Sequence, residues 1–331
     1  MDTDAFATAH RAEWNRLALL VRRRRRLSGD EIDELVAGYQ AAATHLSVLR
    51  SGGRDPALTA RLSVLIGRAR AAITGAHTPA WRAVGEFATV SFPAMAYRAR
   101  WWWLITTAAS LAFALVVGRW IAASPAVQSS LLSHSQVAKL VNHQFRDYYS
   151  QNTPLSFASE VWTNNALAAA EALILGAFLG VGTILVLLEN MLNLGVDGGL
   201  MIGHGRATEF FALILPHGML ELSAVFLASA AGLRLGWAII DPGPRRRGQA
   251  LAEEGRATVT IALGLVVVLA VSGVIEAFVT PSRLPAWTRI GIGGVAEAAF
   301  LAYVIALGHR AQRLGRTADI VQAPAQAPVR G

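Results

Sequence analysis

Residues 213–224 have the sequence LILPHGMLELSA, which places a proline, a histidine, a glycine and a glutamate in otherwise apolar sequence. Pro216 lacks a backbone donor, and an ionisable side chain at membrane depth must be neutralised, paired or exposed to water. We therefore expect a membrane segment that is broken at Pro216. Because His217 and Glu221 are four residues apart, they share one helix face and can hydrogen-bond or hold a cation between them.

Composition places the whole chain among membrane proteins. Its 331 residues are 53% hydrophobic and only 16% charged, which is too apolar for a soluble protein of this length. Cysteine is absent, so disulfides and cysteine catalysis are excluded. The net charge is +8. Arginines at a cytoplasmic face explain this charge by contact with membrane lipids, and no nucleic-acid partner is needed.

The predicted fold class is all-α, a polytopic helical membrane protein with five to six hydrophobic segments. Four segments are clear, and they cover residues 104–123, 165–188, 259–279 and 290–307. A fifth segment, residues 210–240, is broken at Pro216 and is predicted to be either a kinked span or a broken helix with a re-entrant first half. Residues 191–205 are ambiguous because they are rich in glycine and short for a membrane span.

Three domains are predicted along the chain. Residues 1–100 lack a segment of spanning length and form a cytoplasmic helical domain, with helix starts at the capping box Ser28–Glu31 and near Asp55. Residues 101–310 form the transmembrane domain. Residues 311–331 are rich in alanine and proline and are predicted to be a disordered cytoplasmic tail.

Clusters of arginine predict the topology of this multi-pass protein in the cell membrane. The arginines before the first span, those at 245–247 and those after the last span should all be cytoplasmic. An even number of crossings must then separate them, which favours six spans over five. Both termini are therefore predicted inside, and residues 124–163 outside.

Several catalytic mechanisms are excluded by missing residues. No His-Glu-x-x-His zinc motif is present, and His204 would add only a second histidine to His217. No Gly-x-Ser-x-Gly elbow and no pair of intramembrane aspartates occur. We therefore expect a protein that is not an enzyme, with no catalytic residue, no cofactor and no bound metal.

Other polar residues lie in or beside the apolar segments. Asn164 and Asn165 are placed to cap the second span, Glu171 extends the same face inward, and Asn190 ends that span with Glu189. Four carboxylates are predicted at membrane depth, and these are Glu171, Glu221, Glu276 and Glu297. They either join helices to one another or form a proton or cation pathway.

Taken together, these residues resemble the N-N … N … P-H-G-x-x-E-x-x-A pattern of the stage II sporulation protein M family. The likeness covers roughly residues 100–310, and it is carried by Asn164, Asn165, Asn190, Pro216, His217, Gly218, Glu221, Ala224 and Gly232. The resemblance implies a membrane scaffold that gathers cell-wall-degrading enzymes. The long cytoplasmic domain departs from the compact sporulation form, so a sporulation role is not carried over.

The expected function is a non-enzymatic membrane scaffold or envelope-complex subunit that recruits partner proteins, cell-wall enzymes among them. The alternative is a transporter or ion-coupled permease that uses the intramembrane glutamates. Association of the chain with further copies of itself, as a homo-oligomer, is an additional alternative. His217 and Glu221 are expected to be a structural and assembly site, packed against the second span near Asn165 or Glu171.

Overall fold

The structure is a computed structural model that describes residues 3–23, 27–52, 55–73, 80–131, 133 and 154–315. These residues are helical and include no strand, so the all-α prediction is confirmed. Three predictions fall partly or wholly outside the described residues: the end of the arginine run 22–26, most of the loop 124–163, and the tail from residue 316 onward.

The first three helices form a unit of their own. They are α1 (Thr3–Arg23), α2 (Gly29–Gly52) and α3 (Pro56–Ile73). Their core contains leucines from all three helices, namely Leu17, Leu20, Leu35, Leu46, Leu49 and Leu62. The two predicted helix starts are confirmed, because Ser28 and Glu31 cap each other reciprocally (3.0 and 3.3 Å) and Asp55 accepts the Leu58 N–H (2.9 Å).

Residues 1–83 and 84–331 form two compact units. At the start of the second unit lie most of α4 (Ala80–Glu86), a π-helical turn (Phe87–Ser91) and α5 (Phe92–Arg98). Phe92 and Ala96 are buried in the core of this membrane unit. α5 therefore packs with the membrane unit, while the predicted extent of the cytoplasmic domain, residues 1–100, stays a prediction.

Long helices make up the rest of the membrane unit. They are α6 (Arg100–Ala123), α8 (Pro154–Leu175), α9 (Val181–Gly203), α10 (Ala207–Ile240), α11 (Arg247–Val274) and α12 (Ala286–Arg313), with the short α7 (Pro125–Leu131) after α6 and a π-helical turn (Ile275–Val279) after α11. Five of these segments are long and apolar enough to cross a membrane. They are α6, α9, α10, α11 with its π-helical turn, and α12. The last of them runs to Arg313, three residues into the range predicted as a disordered tail.

The second predicted span, residues 165–188, is wrong as a single helix. The chain turns at residues 176–180, where Leu179 and Gly180 have φ values of 55° and 79°, and α8 and α9 lie on either side. Glycine suits this left-handed conformation because it has no Cβ. The ambiguous residues 191–205 thus belong mainly to a full-length helix, α9, whose first half had been assigned to the preceding span.

Contacts place the start of α6 and the end of α12 at one end of the membrane unit. Arg98 and Arg234 both pair with Glu254, and Tyr97 Oη lies 3.2 Å from His309 Nδ1. At the opposite end, a Cβ on Gly203 would meet the Ala122 backbone at 3.2 Å. α6, α9 and α11 therefore run in one direction, and α10 and α12 run in the other. The even number of crossings predicted from charge stays a prediction, because five of the described helices, and not six, are long and apolar enough to cross a membrane.

Candidate functional site

The predicted break at Pro216 is wrong, because α10 continues through this proline as one helix of 34 residues. The carbonyl of Pro216 lies directly against Gly293 of α12, where a Cβ would overlap it. Gly218 also has little free space around it, since a Cβ at this position would lie 3.1 Å from the Ile214 side chain. The proline thus sits at a close contact between two helices and not at a helix end.

His217 and Glu221 share one face of α10, as their spacing predicted, and a third ionisable residue joins them. Glu276 comes from the π-helical turn that ends α11, and its Oε1 lies 3.9 Å from His217 Nε2. One ligand atom from each of the three residues lies within 4.8 Å of the other two. We call these three side chains the His–Glu–Glu cluster.

Burial separates the cluster from solvent. His217 is 5% exposed and Glu276 4% exposed, and the Oε2 atoms of Glu221 and Glu276 have no hydrogen-bond partner among the described residues. A buried carboxylate oxygen without a partner is costly, by about 1 to 3 kcal/mol or more. The arrangement therefore requires a proton, a cation or a water at these oxygens.

Two hydroxyl groups from α11 and its π-helical turn hold the histidine in place. Thr280 Oγ1 lies 3.2 Å from His217 Nδ1, and Ser272 donates a hydrogen bond to the His217 carbonyl (3.1 Å). Thr280 also closes the π-helical turn through its N–H, which donates to the Ile275 carbonyl (3.0 Å). π-helical turns occur frequently at functional sites, because the extra residue redirects the side chains around it.

Glu297 lies on α12 and binds another partner. It accepts a hydrogen bond of 2.6 Å from Ser223, one of the residues that follow Glu221 on α10. Arg289 donates to the Thr280 carbonyl. These contacts join α10, α11 and α12 around the cluster, as polar groups inside a membrane protein commonly do.

The predicted packing of His217 and Glu221 against Asn165 or Glu171 stays a prediction, whereas the predicted helix caps are wrong. Asn164 and Asn165 lie in the middle of α8 and cap no helix, and Glu171 is exposed. Asn190 lies in the middle of α9, where its amide donates to the Val186 carbonyl (2.8 Å). The predicted caps are wrong because of the turn at residues 176–180. This turn places the helix ends of the region at residues other than those predicted from the sequence.

Gly232 has the close-packing role expected of a glycine in a membrane helix. A Cβ at this position would overlap the Ala172 carbonyl of α8 and would lie 2.9 Å from Thr183 Oγ1. Gly176 faces Gly232 in the same contact, so the two helices approach each other closely where both residues are glycine.

Sequence reasoning missed the role of Glu276. It was recognised only as one of several carboxylates at membrane depth. One feature of the sequence could have indicated a polar site here. Glu276 lies at the end of an apolar segment, four residues before Thr280. No spacing rule links this position to His217, which is 59 residues earlier, because the contact depends on how α10 packs against α11.

A second group of possible metal ligands lies in the N-terminal unit. His10, Glu13 and His45 bring one ligand atom each within 4.8 Å of the others. His45 accepts a hydrogen bond from Trp14 (3.2 Å), and burial together with the nearby His10 lowers its pKa. This group is more exposed than the His–Glu–Glu cluster.

Comparison with known proteins found two family models and one relative. The model described as Stage II sporulation protein M matches residues 107–281, and a domain of unknown function (DUF8413) matches residues 4–75. An uncharacterised protein of Methanocaldococcus jannaschii, MJ0793, is 26% identical over 143 residues, which is 43% of this chain and 80% of that protein. No solved structure matches. The first matched region contains the whole His–Glu–Glu cluster.

Proposed function

Because the chain belongs to the stage II sporulation protein M family, we propose that it is a non-enzymatic membrane scaffold that recruits envelope proteins, cell-wall enzymes among them. The observation that carries this proposal is the use of polar groups in the membrane unit. Trp103 donates to the Ser223 carbonyl (3.0 Å), Thr183 to the Ala172 carbonyl (2.7 Å) and Ser223 to Glu297 (2.6 Å). Each bond joins two helices, which favours a rigid platform.

The N-terminal unit supplies a surface for partners. It has its own leucine core, yet three aliphatic side chains on three different helices are about half exposed: Leu19, Ile32 and Val64. Contiguous exposed apolar patches mark protein interaction sites, and we infer that these three side chains contribute to such a patch.

Capture of cross-linked complexes from native membranes tests the proposal. The full chain should recover the same envelope proteins in repeated experiments, and changing Leu19, Ile32 and Val64 to serine should remove some of them. Changing the exposed Gln40 and Arg61 to serine is the matched control. Recovery of the protein alone under mild conditions would contradict the scaffold role.

A transporter or ion-coupled permease is the second candidate. It is favoured by the buried oxygens of Glu221, Glu276 and Glu297 that have no hydrogen-bond partner among the described residues. The continuous α10 removes one motivation for this candidate, since no broken helix is found at Pro216. Reconstituted vesicles separate the two functions. A proton- or substrate-dependent flux that is lost in Glu221→Gln or Glu297→Gln would favour transport.

A further inference from the structure

We propose that His217, Glu221 and Glu276 bind one divalent transition-metal cation, which fastens α10 to the end of α11. The cation has a structural role, and the proposal is independent of whether the protein acts as a scaffold. The geometry described above brings three ligand atoms within 4.8 Å of one another, from two segments that are far apart in the sequence. To bind one ion between them, the three side chains need to move only slightly towards one another.

The hydrogen bond to Thr280 orients the histidine as a ligand. Metal binding through Nε2 requires the tautomer in which His217 Nδ1–H donates to Thr280 Oγ1, which lies 3.2 Å away. In that tautomer Nε2 carries no hydrogen, and Glu276 Oε1 lies 3.9 Å from it. Metal-binding histidines are typically held in this way, with the other ring nitrogen donating to a protein oxygen.

Charge favours a divalent ion over a monovalent one. The carboxylates of Glu221 and Glu276 together carry a charge of −2 when they are ionised. A buried charge of this size is costly unless it is neutralised. Arg289 is the basic side chain that lies close by, but its described hydrogen bond goes to the Thr280 carbonyl and not to a carboxylate. Glu297 is bound to Ser223. A divalent cation makes the cluster neutral and supplies a partner for the Oε2 atoms of Glu221 and Glu276.

The ligand types narrow the choice of cation. Imidazole nitrogen favours zinc, iron, nickel and copper over magnesium and calcium, and carboxylate oxygens complete the zinc sites of many proteins. Zinc is the suitable probe because it has no redox chemistry. Serine and threonine hydroxyls hold the histidine and do not need to bind the ion.

Zinc binding to the full-length protein in detergent tests the proposal. The protein is purified without a histidine tag, treated with a chelator, loaded with zinc sulfate and desalted, and its zinc content is then measured by mass spectrometry. All measurements use a His10→Gln, His45→Gln background, which removes the other group of possible ligands. Tryptophan fluorescence gives the unfolding midpoint with and without zinc, since nine tryptophans are present.

We expect about one zinc ion per chain and a higher unfolding midpoint in its presence. Glu276→Gln and Glu221→Gln should each lose most of the zinc and the shift in midpoint. Glu297→Gln is the matched control and should keep both, because Glu297 is a half-buried glutamate of the same bundle that lies outside the cluster. Each glutamine keeps the size and most of the hydrogen bonding of the side chain, so folding is checked by the metal-free midpoint.

Two results would overturn the proposal. The first is a parent protein that retains no zinc and shows no shift in midpoint, which would mean that protons neutralise the carboxylates. The second is full zinc content in both Glu276→Gln and Glu221→Gln, which would place the ion elsewhere.

Discussion

At the residue scale, buried charges decide where this protein is sensitive to mutation. Two buried acidic sites are described at opposite depths of the membrane unit. Among the described residues, no arginine or lysine forms an ion pair with the carboxylates of the His–Glu–Glu cluster, whereas Glu254 is surrounded by Arg98, Arg234 and Arg245. The first site therefore needs a proton, a cation or a water at its carboxylates, while the second is neutralised by the protein itself.

We expect Glu254→Ala to destabilise the membrane unit strongly. Glu254 is 5% exposed, and its loss leaves two partly buried arginines without their carboxylate, at a cost of about 3 kcal/mol. Glu253→Ala is the control. Glu253 is the neighbouring residue and pairs with Arg245 near the surface (2.6 Å), so its loss should cost about 1 kcal/mol or less. Unfolding midpoints in detergent measure both, and equal effects would contradict the assignment.

The pKa of His45 predicts an acid sensitivity of the N-terminal unit. Burial and the nearby His10 lower this pKa below its usual value of about 6.5, so the folded state binds fewer protons than the unfolded state below that pH. Stability is therefore full above pH 6.5 and falls as the pH drops through the lowered pKa.

Hydrogen exchange of residues 3–73 in the full-length protein measures this effect. Protection should decrease between pH 7 and pH 5 in wild type, and the decrease should be smaller in His45→Gln. A profile that is the same in both proteins would show that another group causes the acid sensitivity.

At the element scale, glycines set the distances between helices. Gly232 of α10 meets the backbone of α8, and Gly199 of α9 meets α6, where a Cβ would lie 2.7 Å from the Gly118 carbonyl. Helices in lipid gain their association from such close contacts, because the surrounding lipid is as apolar as the side chains. The large side chains of the same helices, such as Leu115 of α6 and Leu185 of α9, instead face outward.

We expect Gly232→Ala to loosen the contact between α8 and α10. The new methyl group overlaps backbone atoms that cannot move independently, so the cost should be about 1 to 3 kcal/mol. Gly291→Ala is the control, since a Cβ there meets nothing within 4 Å and alanine is the better helix former. Its unfolding midpoint should stay the same or rise. A fall of equal size in both variants would contradict the packing role of Gly232.

At the scale of the whole molecule, the arginines are distributed unequally between the two ends of the membrane unit. Arg98, Arg234 and Arg245 lie together around Glu254, and Arg310 and Arg313 end the helix whose His309 contacts Tyr97. The opposite end contains fewer arginines, namely Arg119, Arg206, Arg283 and Arg289. Because basic residues are retained at the cytoplasmic face, we propose that the first of these ends is cytoplasmic.

Single cysteines test this orientation, since the native chain has none. Arg246→Cys should be protected from a membrane-impermeant thiol reagent in intact cells and should react after the cells are opened. Arg283→Cys lies in an exposed loop at the other end and should react in intact cells. The reverse pattern would invert the topology, and reaction of both cysteines in intact cells would contradict the alternating arrangement of the helices.

The sequence by itself determined the class of the protein and its local signals. Apolar length, the absence of cysteine and the motif around His217 led to a helical membrane protein and to its family, and the capping residues Ser28 and Asp55 located two helix starts. These features depend on neighbouring residues and on the hydrophobic effect, both of which are visible along the chain.

Only the tertiary structure decided how the helices end and which polar groups meet. A left-handed turn at Gly180 divided an apolar stretch that looked continuous, and α10 continued through Pro216, whose carbonyl lies against Gly293. Glu276 reached His217 because a π-helical turn directs it towards α10. Contacts between residues so far apart in the sequence depend on how whole helix surfaces fit together, and no local pattern encodes that fit.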